Sequence, residues 1–128
     1  MGRIVQYLGA HLDEPVDAAA LGRLAGLSPR QLERIFTRTI GESPRAHARR
    51  LRLERAALQL RAASSTILTI AMDAGFESHA AFTRVFRQRF GHTPVAYRRL
   101  AEASIQPRDR VQLWQLIAAT GLRRYVER

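Results

Sequence analysis

Apolar residues recur at spacings of three and four along most of the chain, and Ser, Asp, Gly and Pro interrupt this pattern at short intervals. The spacing matches the 3.6-residue period of helices with one buried face, and the interrupting residues are typical helix starts and stops. An all-α fold is therefore predicted. The expected helices span residues 3–12, 18–25, 29–40, 44–62, 67–74, 78–90, 94–103 and 109–120.

An internal repeat organises these helices. Ala25-Gly26-Leu27 recurs 49 positions later as Ala74-Gly75-Phe76. Leu32, Arg34, Phe36, Gly41 and Pro44 recur 50 positions later as Phe82, Arg84, Phe86, Gly91 and Pro94. Two copies of helix, glycine turn, helix and Pro-started helix indicate a duplicated helix-turn-helix unit.

The second helix of each copy has one apolar and one polar face. Leu32 and Phe36 share a face in the first copy, as Phe82 and Phe86 do in the second. The opposite faces carry Arg30, Glu33, Arg34 and Thr37, and then His79, Ala80, Thr83, Arg84 and Arg87. Arginine can bind a guanine edge with two hydrogen bonds, Glu can accept from cytosine, and methyl groups of Thr or Ala can contact thymine. Solvated outer faces would look similar, but the duplication and the charge of the chain favour DNA binding.

The length of the helix predicted between the two copies indicates how far apart the two helix-turn-helix units lie. Residues 44–62 make 19 residues, which is about 28 Å of helix. Adjacent major-groove turns are about 34 Å apart. We therefore expect one chain to bind an asymmetric site as a monomer, with helices 29–40 and 78–90 in adjacent major grooves. The arginines of the connecting helix are expected to contact phosphate, pair with Glu54 or stay solvated.

The composition supports a polyanionic partner. The net charge is +10, the pI is near 11.6, and all 21 basic residues are arginine. The chain lacks Cys, an apolar run long enough to span a membrane, and a signal-peptide pattern, so we expect a cytoplasmic protein associated with the bacterial nucleoid. The four histidines have no metal-ligand spacing, and no nucleophile motif or phosphate-binding loop is present. No enzyme activity, metal or cofactor is predicted. Two alternatives stay open, a non-specific architectural DNA-binding protein and a module that binds an acidic protein.

Several of these residues also form a known signature. Ile70-Ala71, Gly75-Phe76-Glu77-Ser78, Phe82-x-Arg84-x-Phe86 and Gly91-x-Thr93-Pro94-x-x-Tyr97-Arg98 closely resemble the signature of the AraC/XylS family of transcription regulators. The upstream copy resembles the first half of that family's DNA-binding domain, and the match covers about residues 3–100. The layout is most similar to the family's short activators. Gly22 departs from the usual Ala and is expected to loosen its helix by about 1 kcal/mol.

The resemblance implies two helix-turn-helix subdomains, at about 1–43 and 66–103, joined by the helix 44–62 into one DNA-binding domain, 1–103. It implies an activator that contacts double-stranded DNA and RNA polymerase. Base contacts are expected from Arg30, Glu33, Arg34, His79, Ala80, Thr83 and Arg84. Phosphate contacts are expected from Gln31, Arg38, Arg50 and Arg87. Because His79 and Ala80 replace longer polar residues, the second unit is expected to discriminate less sharply.

Residues 104–128 lie outside the resemblance and are predicted to form a helical extension. Its apolar stripe consists of Val111, Leu113, Trp114, Leu116 and Ile117. The stripe is expected to pack on the DNA-binding domain or on a sister chain. The alternatives are the start of an effector domain and a helix on a membrane surface.

Overall fold

A computed structural model describes residues 1–104 and Gln115. In this part of the chain the structure contains seven helices and no strand, so the predicted all-α fold is confirmed. The helices are α1 (Gly2–Ala10), α2 (Ala18–Ala25), α3 (Pro29–Ile40), α4 (Pro44–Ala62), α5 (Ile67–Asp73), α6 (His79–Phe90) and α7 (Pro94–Ser104). Apart from Gln115, the predicted helix 109–120 lies outside the described residues, as does nearly all of the extension 104–128.

The helix starts follow from capping side chains. The carboxylate of Asp17 accepts hydrogen bonds from the backbone N–H groups of Ala19 and Ala20, which begins α2. Ser28 and Gln31 form a reciprocal capping box ahead of Pro29, which begins α3. Thr66 and Ser78 begin α5 and α6 by accepting hydrogen bonds from the backbone N–H groups of Thr69 and Ala81. These side chains satisfy backbone N–H groups that have no partner inside a helix, and each local sequence therefore fixes where its helix begins.

The tight turns of both copies depend on glycine. Gly26 follows α2 with φ of 71°, and Gly75 follows α5 with φ of 87°. Left-handed backbone of this kind strains residues that carry a Cβ. The repeat noticed in the sequence is therefore a repeat of backbone geometry.

The chain divides into two compact units, Met1–Arg52 and the part from Leu53 onward. The division falls inside α4, so the first half of that helix packs in unit 1 and the second half in unit 2. The sequence interpretation treated α4 as a separate linker. The core of unit 1 is built from Ile4, Leu8, Leu21, Leu32 and Phe36. The core of unit 2 is built from Leu53, Ala56, Ala57, Leu60, Ile70, Ala71, Ala74, Phe82 and Phe86.

An aromatic pair anchors each of the helices α3 and α6 in its own unit. Phe36 of α3 meets the edge of His47, with ring centroids 5.6 Å apart at 75°. Fifty positions later, Phe86 of α6 meets Tyr97, with centroids 5.3 Å apart at 79°. Both phenylalanines are fully buried. Each pair fixes the rotation of its helix about its own axis, which determines the face that the helix presents to solvent.

Candidate nucleic-acid interface

The outer face of α3 carries charged side chains opposite its buried stripe. Leu32 and Phe36 are fully buried, so the residues on the opposite side of the helix point to solvent. All of the predicted base-contacting residues of this helix are exposed, together with two neighbours. This face comprises Arg30, Glu33, Arg34, Thr37 and Arg38.

The outer face of α6 forms a shallow concavity of about 650 Å³. It is lined by His79, Ala80, Thr83, Arg84, Arg87 and Gln88. Its rear wall is fixed because Phe82 and Phe86 are fully buried. The four predicted base-contacting residues of α6 thus lie on one open surface, and Arg87, a predicted phosphate contact, lies beside them.

Two of these residues contact each other. The Thr83 hydroxyl lies 3.3 Å from His79 Nδ1. A contact across one helical turn links the two polar side chains of this face. His79 and Ala80 remain shorter than arginine.

Gln31 has a structural task besides its predicted phosphate contact. Its Oε1 accepts a hydrogen bond from the Ser28 backbone N–H at 3.0 Å, and its own backbone N–H donates to Ser28 Oγ at 3.1 Å. The carbonyl end of the side chain is thus held in the cap. The exposed side-chain amide can still donate its N–H groups, and the phosphate contact stays a prediction.

Arg50 is engaged inside unit 1. Its Nε donates to Glu42 Oε1 at 2.9 Å, and His47 Nδ1 lies 2.9 Å from the same oxygen. Burial favours a higher pKa for Glu42, but the hydrogen bonds and charges of Arg50 and His47 outweigh it and bring the pKa below its ordinary value. A phosphate that bound Arg50 would therefore compete with this ion pair. The predicted phosphate contact is untested and stays a prediction.

Several arginines hold the fold together, a role that the sequence pattern did not predict. Arg52 donates to the backbone oxygens of Leu12 and Glu14, at 2.7 and 3.0 Å. Arg55, only 2% exposed, donates to the Asp73 oxygen at 2.7 Å. These two arginines had been grouped with the phosphate-contacting or solvated arginines of the connecting helix.

Arg98 has a similar task on α7. It donates to the oxygens of Leu60 and Ala63, at 3.1 and 3.3 Å. Partial burial lowers the pKa of Arg98 from the usual arginine value, and the charge of Glu102 partly offsets this. The pKa of Arg52 is lowered for the same reason, with Asp13 as the opposing charge. The signature position Arg98 therefore satisfies carbonyl groups at the end of α4.

The residues predicted to contact DNA did not include Gln88, and no role was predicted for Arg89. Gln88 lines the α6 concavity, and its position four residues after Arg84 could have signalled this. Arg89, one position further on, donates to Glu54 at 3.3 Å inside unit 2. Glu54, which was expected to pair with arginines of α4, thus contacts Arg89 of α6.

Residues 1–104 contain no helix that is both long and apolar enough to cross a bilayer. The same part of the chain has no group of three or more His, Asp or Glu side chains that could hold a metal ion.

Two helix-turn-helix units, each with an exposed arginine-bearing helix face, define a DNA-binding protein. A family model described as a helix-turn-helix domain matches residues 21–100. The transcriptional regulator Rob of Salmonella typhimurium is 38% identical over 98 residues, which are 77% of this chain and 34% of Rob. The regulatory protein SoxS of Salmonella typhimurium is 34% identical over 95 residues, which are 74% of this chain and 89% of SoxS.

Solved structures of related regulators have a similar fold. A probable AraC family transcriptional regulator from Rhodopseudomonas palustris has 30% identity and a TM-score of 0.71, over 78% of this chain and 94% of that one. The DNA-binding domain of AdpA, solved in complex with a target DNA, has 28% identity and a TM-score of 0.70, over 80% of this chain and 92% of that one.

The chain belongs to the AraC/XylS family of DNA-binding transcription regulators. The match spans about a third of the length of Rob, 34%, but most of SoxS, 89%.

Proposed function

We propose that this chain activates transcription by binding an asymmetric double-stranded DNA site as a monomer. In this proposal residues 1–103 form the DNA-binding domain, and α3 and α6 enter adjacent major grooves. The observation that carries the proposal is that both helices expose an arginine-bearing face opposite a fully buried phenylalanine, Phe36 in α3 and Phe86 in α6. An arginine in a fixed orientation can form two hydrogen bonds with a guanine edge, which distinguishes guanine from other bases.

The base contacts are assigned to the exposed faces described above. In α3 they come from Arg30, Glu33 and Arg34, and in α6 from His79, Ala80, Thr83 and Arg84. Phosphate contacts from Gln31, Arg38, Arg50 and Arg87 supply affinity and orientation. The length of α4, 19 residues, suits a connector between sites about one helical turn apart. Activation further requires a contact with RNA polymerase, and the site of action is the nucleoid in the bacterial cytoplasm.

The first test is selection of bound sequences from a random duplex pool at near-physiological salt. The proposal predicts an asymmetric consensus with two blocks about one helical turn, about 10 bp, apart. Sedimentation of the purified complex should give one chain per site. A strictly palindromic consensus, or a nuclease footprint much shorter than about 15 bp, would exclude monomeric binding in two grooves. No enrichment would instead favour a non-specific architectural protein, whose binding depends steeply on salt but little on sequence.

Activation needs its own test. A promoter carrying the selected site should give more transcript in a reconstituted reaction with bacterial RNA polymerase when the chain is added. The matched control is the same promoter with the two consensus blocks scrambled. Reduced transcript on the intact promoter alone would identify a repressor and leave the DNA-binding part of the proposal standing.

A further inference from the structure

Two large apolar side chains are exposed on α5 of unit 2. Leu68 is 53% exposed and Met72 is 55% exposed. They are four residues apart, so they lie on the same side of the helix. The opposite side, with Ile70 and Ala71, is fully buried in the core. Within residues 1–104, the Leu68–Met72 face is therefore left exposed by the packing.

In unit 1, the positions equivalent to Leu68 and Met72 are not occupied by large apolar residues. Forty-nine positions earlier, Ala19 and Arg23 of α2 occupy the same places, and both are exposed. A small and a charged residue thus suffice for solvent contact in unit 1. The apolar pair is particular to the unit from which the C-terminal extension leaves.

The extension continues from α7, the helix that contacts the connection into α5. Arg98 of α7 donates to Leu60 O and Ala63 O, at 3.1 and 3.3 Å, so α7 lies beside the connection that leads into α5. From Ser104 to Val111 the chain advances seven residues, which can span up to about 23 Å. The seven residues of α5 are only about 10 Å long. The stretch from Ser104 to Val111 can therefore be longer than α5 itself.

We propose that Leu68 and Met72 form the docking surface for the segment 109–120 of the same chain. The sequence of the segment carries an apolar stripe, Val111, Leu113, Trp114, Leu116 and Ile117. The exposed apolar pair of α5 matches this stripe in chemistry.

Trp114 supplies a direct test, because it is the only tryptophan in the chain. In the full-length protein its emission should be blue-shifted and shielded from acrylamide, compared with the chemically unfolded chain. In the double variant Leu68→Asp, Met72→Asp the emission should move to the wavelength of the unfolded chain, and quenching should rise, while circular dichroism still shows a folded protein. The milder pair Leu68→Ala, Met72→Ala should move the emission part of the way and covers the case in which the Asp variant fails to fold.

Val95→Asp is the matched control. Val95 is an apolar residue on α7 and is 40% exposed, so the substitution adds one acidic charge at a comparably exposed apolar position, against two charges in the α5 double variant. It should leave the emission unchanged. The proposal is overturned if Trp114 is solvent-exposed in the unaltered protein, or if Val95→Asp shifts the emission and the α5 variants do not. Emission that turns red on dilution, together with a sedimentation mass of two chains, would overturn it in favour of docking between copies.

Discussion

The carbonyl oxygen of Leu27 lies directly against Gly22, at a place where a Cβ on residue 22 would be only 2.5 Å from it. The Leu27 N–H closes the turn by donating to the Gly22 oxygen at 2.8 Å. The equivalent bond in unit 2, from Phe76 to Ala71, is longer at 3.1 Å, and that turn accommodates an alanine. Gly22 therefore allows α2 and the start of α3 to approach more closely than a side chain would permit.

Gly22→Ala should destabilise unit 1, although alanine is the better helix former. The gain in helix propensity is about 1 kcal/mol. The added methyl group would force a backbone oxygen aside, and overpacking of this kind costs about 1–3 kcal/mol. We expect a net loss of stability in chemical unfolding, and weaker DNA binding because the start of α3 moves. The expectation from sequence, that Gly22 loosens its helix, did not take this contact into account.

Ala71→Gly is the matched control in unit 2. It should lower the stability by at least about 1 kcal/mol through helix propensity alone. An increase in stability for Gly22→Ala would show that the turn yields easily, and that the close approach of Gly22 and Leu27 has no structural cost.

Much of the fold could be predicted because its signals are local. A cap such as Ser28 with Gln31 contacts residues three positions away, and a stop such as Gly41 depends on one residue's conformational freedom. The inward faces of α3 and α6 follow from apolar spacing within one helix. These features need no knowledge of which helices meet.

The roles of individual arginines could not be predicted in this way. Arg52 reaches an acceptor 40 positions away, and Arg55 one 18 positions away. The acceptors are backbone oxygens, which every residue has, so the sequence carries no mark of them. Because α4 packs in both units, its polar residues are also buried on more than one side, and a single outer face could not be assigned.

Arg34→Ala and Arg84→Ala test the base contacts of the two units. Each should reduce affinity for the selected site by about 1–3 kcal/mol and relax the preference at one position, because a two-bond contact with one base is lost. Arg38→Ala should weaken binding to all sequences similarly. It should also reduce the slope of log affinity against log salt concentration by about one. Competition binding against cognate and random duplexes measures both effects.

Arg3→Ala serves as the control for charge alone, since Arg3 is exposed on α1 and has no assigned contact. Equal losses on cognate and random DNA for Arg34→Ala and Arg38→Ala would remove the base contact of Arg34. The result for Arg84 is independent, because α6 belongs to the other unit.

Phe36→Ala and Phe86→Ala should each unfold the unit in which the residue lies. Both rings are fully buried and contact an aromatic partner, His47 or Tyr97. Removing a buried phenylalanine ring costs about 3–5 kcal/mol. Thermal unfolding followed by circular dichroism should show a large loss of stability in each variant. Unchanged stability in either one would mean that its helix does not pack on the phenylalanine side.

Acid should remove part of the stability of unit 1 through Glu42. The folded-state pKa of Glu42 lies below its ordinary value of 4.5, as the carboxylate is held by Arg50 and His47. A lowered pKa stabilises the folded state above the unfolded-state value, and this contribution disappears as the pH falls through the folded-state pKa. The free energy of unfolding, measured from about pH 6 to about pH 3, should therefore fall less steeply in Glu42→Gln than in the unaltered protein. Equal slopes would show that the ion pair contributes no pH dependence.

Arg55→Met should separate the arginines that stabilise the fold from those that face DNA. Arg55 is 2% exposed and donates to the Asp73 oxygen at 2.7 Å. Loss of that donor removes a hydrogen bond from the partly buried Asp73 backbone carbonyl, which costs about 1–3 kcal/mol. Arg45→Met, at an exposed position near the start of the same helix, should change stability by no more than about 0.5 kcal/mol. Chemical unfolding measures both costs. DNA affinity, measured where each variant is fully folded, should be unchanged for Arg55→Met, because a buried guanidinium cannot contact phosphate. A stable Arg55→Met protein with weakened DNA binding would reverse the assignment and place Arg55 in the interface.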